Sequence, residues 1–110
     1  MTNLHPGQLE NLCRELVRRG WWVTAAETCP ATVIIGFNFM PQAGPPSWLK
    51  AFEVPHHLAT PEGVEMMIRT WMAGVRWDLE NGTPSETVRK MVAEHGVGRV
   101  REAMSGYVSA

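Results

Sequence analysis

The chain has 110 residues, a length that suits one domain, and 45% of them are hydrophobic against 19% charged, which excludes a disordered chain. Ten basic residues against eleven acidic leave a formal charge of −1, so neither a global basic field for nucleic acid nor an acidic tail is present. No apolar run approaches the ~18 residues of a membrane span. The opening Met1-Thr2-Asn3-Leu4-His5-Pro6 lacks the basic and apolar regions of a signal peptide, which reads as a cytoplasmic chain.

From the N-terminus, Leu9, Leu12, Cys13, Leu16 and Val17 recur at helical spacing after Pro6, and Gly20 follows a basic last turn as a helix stop. Glu10–Arg14 and Glu15–Arg19 are i,i+4 pairs in the favourable order. Three extended segments follow, at 21–28, 32–39 and 48–54. In the second, Val33, Ile35, Phe37 and Phe39 alternate with Thr32, Ile34, Gly36 and Asn38; in the third, Trp48, Phe52 and Val54 oppose Leu49, Ala51 and Glu53. Cys29-Pro30-Ala31 reads as a hairpin connection, and the proline-rich stretch from Met40 to Ser47 as a loop.

Thr60-Pro61-Glu62 is in helix-start order, and the helix it opens should run to about Asn81, closed by Gly82. Val64, Ile68, Trp71, Val75 and Leu79 make its main apolar stripe. Met66, Ala73 and Trp77 make a second on another face, leaving Glu65, Arg69, Arg76 and Glu80 as a polar strip. Apolar residues over so wide an arc place the helix at the centre of the fold or against a partner. Thr83-Pro84-Ser85-Glu86 reads as a capping box opening a short helix with Val88, Met91 and Val92. His95-Gly96 ends it, and a last helix carries Val97, Val100, Met104 and Tyr107 on its apolar side.

The expected architecture is therefore one α+β domain over 1–110 in the order α-β-β-β-α, with a helical C-terminal extension over about 83–106. A three-stranded antiparallel meander should pack one face on the first and long helices. The other face is left bare, bearing Trp21 or Trp22 according to register. This order resembles that of double-stranded RNA-binding domains. That class reads RNA partly with lysines at the start of its last helix, where this chain has the acidic Thr60-Pro61-Glu62-Gly63-Val64-Glu65.

Chemistry has few footholds. Adjacent His56 and His57 are the first place to seek proton or metal chemistry, but no third ligand stands at HxH or HxxxH spacing. Cys29 has Glu27 and Thr28 beside it, and a carboxylate works against a reactive thiolate. Cys13 falls on an apolar helix face, and two cysteines make no disulfide framework. Phosphate-binding glycine loops, GxSxG, HExxH and paired CxxC are all missing. No catalytic residue, metal or cofactor is expected. Glu62 and Glu65 read simply as acidic residues complementing a helix dipole.

The remaining signal is compositional. Five tryptophans and seven methionines are more than a chain this short needs for its core. Trp71, Trp48 and Met67 read as core; Trp77, Met66 and one of Trp21 and Trp22, with Arg69 beside them, read as an interface. The leading expectation is a non-catalytic accessory or inhibitory protein, of the kind phages and mobile elements carry, acting sterically on another protein and forming a homodimer. The alternative is a nucleic-acid-binding regulator, with Arg89, Lys90, Arg99 and Arg101 on two C-terminal helices compared with a helix-turn-helix.

Overall fold

The computed structural model describes residues 3–106. α1 (Pro6–Arg18) buries Leu9, Leu12 and Leu16 on one stripe, with Pro6 in its first turn and the His5 N–H donating to the Gln8 side chain. Val17, read onto the same stripe, is instead 55% exposed. The helix ends in a Schellman motif: Gly20 N–H donates to Val17 O and Trp21 N–H to Leu16 O, with Gly20 at φ 103°. That turn delivers Trp21 into the core before any strand pairing begins. The first strand therefore starts later than its composition suggests, and β1 covers Val23–Thr28.

β2 (Thr32–Asn38) and β3 (Leu49–Pro55) complete a three-stranded antiparallel meander in the order β1-β2-β3. Val33, Ile35, Phe37, Phe52 and Val54 face the helices and are buried, as their alternation requires. The opposite face carries a Glu27–Ile34–Glu53 row and an Ala25–Gly36–Ala51 row, with no helix of the described residues over them. A bulge between Val23 and Ala25 leans Thr24 across the central strand, where a Cβ on Gly36 would lie 3.0 Å from the Thr24 hydroxyl.

A 3-10 turn (His56–Leu58) leads into α2 (Pro61–Asn81), capped by the Thr60 hydroxyl accepting from the Gly63 N–H. Val64, Ile68, Met72 and Val75 are its buried stripe. Trp71, partly buried, meets Phe39 at 4.7 Å and Trp48 at 5.4 Å between ring centroids, inside an aromatic cluster that includes Trp21, Phe37 and Phe52.

Gly82, at φ 73°, ends α2, and the N–H groups of Gly82 and Thr83 both donate to Asp78 O. Thr83 is thus consumed in closing α2 and does not open the next helix. α3 (Glu86–His95) is capped two residues later by Ser85, which accepts from the Val88 N–H. Gly96 alone joins it to α4 (Val97–Gly106). Val88, Met91, Val100 and Met104 belong to the same core as the sheet, whereas Val97 at the start of α4 is 42% exposed. Tyr107 lies outside the described residues. The result is an α+β fold in which α3 and α4 close one end of the core.

Candidate functional site

Trp21 is withdrawn from the expected interface. It is 2% exposed, packed edge-on against Phe37 and Phe39, and its indole N–H donates to Glu65 Oε2 at 2.8 Å. The other oxygen of Glu65 binds Arg19 Nη1 at 2.6 Å. Arg19 also reaches Glu62 at 2.8 Å and Glu15 at 3.1 Å. One guanidinium, anchored on α1 by Glu15, thus clips the end of α1 to the start of α2 through the carboxylates of Glu62 and Glu65. These hydrogen bonds, that to Glu62 first, raise Arg19 above the ordinary guanidinium range. Arg19 in turn holds the Glu62 carboxyl below its usual value. Glu62 and Glu65, read as dipole-complementing surface, are the ligands of this clip. The Glu15–Arg19 spacing was its visible fragment.

Trp22 is 51% exposed and lines a cleft of about 500 Å³ at the end of the sheet, with the 39–43 segment on one side and Arg99, Glu102 and Ala103 of α4 on the other. It stands apart from the α2 surface. The cleft has room for a small ligand, but Arg99 and Glu102 are its only charged groups among the described residues, and they sit one turn apart on the same helix.

The histidine pair divides. His56 Nδ1 accepts from the Leu4 N–H at 3.1 Å, and Nε2 lies 2.7 Å from Cys29 O, to which it donates in the matching tautomer. Both ring nitrogens are thus engaged in tying the N-terminal segment to the β1–β2 turn. His57 is exposed. His95 is likewise structural, with Nε2 2.9 Å from Pro46 O. Among the described residues, no three of His, Cys, Asp and Glu converge as metal ligands, and no buried side-chain polar atom lacks a partner. Burial raises the Cys13 thiol above its ordinary pKa, the opposite of activation.

Arg89, Lys90, Arg99 and Arg101 are all exposed, but the geometry separates them. Residues two apart on a helix point about 200° from one another, and Arg99 faces the Trp22 cleft, so Arg101 points away from it. A single residue between α3 and α4 also falls short of the ~3–4-residue turn of a helix-turn-helix.

What the fold does bring together is the outer face of α2. Met66 and Trp77 are each 60% exposed. With Thr70 and Ala73 between them they follow spacings of four, three and four residues, which keeps them in one line along the helix. Arg69 flanks this line, its guanidinium 5.7 Å from the Trp21 ring centroid, and Glu80 stands exposed on the same flank. Glu65 and Arg76, read as part of the polar strip, are turned inward, Glu65 to Arg19 and Trp21, and Arg76 to the Met104 carbonyl of α4. No helix of the described residues is long and apolar enough to cross a membrane. Comparison with protein-family models, with curated proteins and with solved structures returned no match to this chain.

Proposed function

We propose that this chain is a small non-catalytic binding protein whose contact surface is the outer face of α2, centred on Met66, Arg69 and Trp77. The observation that carries this reading is the pair of large apolar side chains, each 60% exposed, set in line on a helix whose opposite face already supplies the core. An exposed tryptophan loses side-chain freedom without burying area unless something covers it, and tryptophan, methionine and arginine concentrate at interface centres. Among the described residues, the titratable groups His56, Glu65 and His95 are engaged in holding elements together and do not compete with this surface for a functional role.

Site-specific photo-cross-linking in the cells that make the protein tests the reading. A cross-linker at position 66 or 77 should capture a polypeptide, whether another protein or a second copy, while one at Glu27 on the open sheet face should not. Absence of product from both α2 positions overturns the reading. If binding ran instead through Arg89, Lys90, Arg99 and Arg101, affinity for a DNA duplex would fall steeply with salt, and Trp77→Ala would leave it unchanged.

A further inference from the structure

We infer that the partner of the α2 face is the α2 face of a second copy, packed antiparallel about a two-fold axis near Gly74 and Val75. This rests on the proposed binding role of α2 and names its occupant. The argument is charge complementarity combined with shape. In an antiparallel helix pair, each flank meets the same flank of its partner. The flank of α2 beside the Met66–Trp77 line carries Glu62, Arg69 and Glu80, all exposed, and the half-buried Arg76. Two of these are already committed within the chain: Glu62 to Arg19, and Arg76 to the Met104 carbonyl. That leaves Arg69 and Glu80, of opposite charge and eleven residues apart. A two-fold midway between them sets Arg69 of each copy level with Glu80 of the other, giving two symmetric ion pairs. The Arg69 guanidinium carbon lies 5.7 Å from the Trp21 ring centroid, a cation–π contact compatible with N–H donation to a carboxylate.

The same operation brings Trp77 of one copy level, to within one residue or about 1.5 Å of helix rise, with Ala73 of the other. Thr70, Ala73 and Gly74 are small and exposed, and a Cβ built on Gly74 would meet nothing within 4 Å. Thr70 and Ala73 line an open groove with Met66 and Arg69 on the helix that carries the projecting indole, so knob and hole lie on one helix, as a self-complementary two-fold contact requires.

Sedimentation equilibrium on the purified chain tests the pairing, with circular dichroism to verify folding. Wild type should be a dimer. Glu80→Arg should weaken it roughly tenfold or more by placing like charges together; Arg69→Glu should do the same, and the Arg69→Glu/Glu80→Arg double variant should restore it. Ala73→Gln, which suits a helix but fills the groove, should give a folded monomer. If Arg69→Glu fails to fold because of its contact with Trp21, Glu80→Arg and Ala73→Gln still decide. A wild-type monomer, a dimer indifferent to both of those variants, or a folded double variant that stays monomeric overturns the pairing. A monomer that cross-links through position 77 to a different protein overturns the pairing alone and leaves the binding role of α2 standing; no cross-link at all removes both.

Discussion

His56 holds Leu4 and Cys29, residues 52 and 27 positions away, through its two ring nitrogens. Replacing it with alanine removes an acceptor from one partly buried backbone group and a donor from another, and should cost about 1–3 kcal/mol in urea unfolding. His57→Ala should stay within about 0.5 kcal/mol, because that side chain is exposed. The sequence singles out the pair as a chemical candidate, since histidine is identifiable by type. Both of the His56 partners are backbone groups, which carry no residue-specific signature, so its structural role was not legible. Glu65 shows the same limit. Its acceptor role toward Trp21 depends on α1 and α2 meeting, and Glu65→Ala should cost about 1–3 kcal/mol by removing the carboxylate that accepts from the Trp21 indole N–H. Glu62, on the exposed side of the same clip, gives a pH signature. Its carboxyl is held low in the fold, so its contribution is complete above the ordinary carboxylate value of about 4.3 and is lost as pH falls through the depressed one. The urea midpoint should therefore drop more steeply below that value in wild type than in Glu62→Gln.

At the scale of elements, capping chemistry was readable and close approach was not. Thr60, Pro61 and Gly82 bound α2 where their residue types indicate. The apparent box at Thr83 failed because two motifs overlapped: the Schellman closure of α2 needs the Thr83 N–H, and Ser85 then takes the cap of α3. Two first-turn glycines after prolines separate local from tertiary demands. At Gly7 in α1 an added Cβ meets nothing within 4 Å, and Gly7→Ala should be neutral or stabilising by up to about 1 kcal/mol. At Gly63 in α2 the Cβ would lie 2.1 Å from the Leu58 carbonyl oxygen, itself backbone of the preceding turn. Gly63→Ala must push α2 off that turn and should cost about 1–3 kcal/mol or more. Thermal unfolding of the two variants should therefore move little or upward in the first and downward in the second, and a matching pair of shifts would refute the close approach.

For the whole molecule, strand alternation and short connections led to the correct meander, because both are local properties of the chain. How α3 and α4 close the core was not readable, because it depends on His95 meeting the 40–48 loop and on Arg76 reaching α4. Neither tryptophan candidate settles on the middle of the open sheet face: Trp21 is core, and Trp22 faces the α4 cleft. That face carries Ile34 and a 62% exposed Leu49 over small residues, a surface flat enough to stack on a copy of itself. Its charges oppose this. Glu27 and Glu53 flank Ile34 in one row on the two outer strands, about 10 Å apart at the usual strand spacing, and no basic side chain shares that face among the described residues. Stacking two such faces would bring four carboxylates within about one Debye length at 0.1 M salt, whereas the proposed α2 pairing would set carboxylate against guanidinium. Charge thus disfavours self-association through the sheet face and favours the proposed pairing through α2. Glu27→Gln combined with Glu53→Gln should accordingly raise the light-scattering mass above that of wild type at equal concentration, with the increase suppressed by Leu49→Lys. An unchanged mass in the double variant would mean that the small side chains of the Ala25–Gly36–Ala51 row, offering too little area to bury, keep the face single without help from the carboxylates.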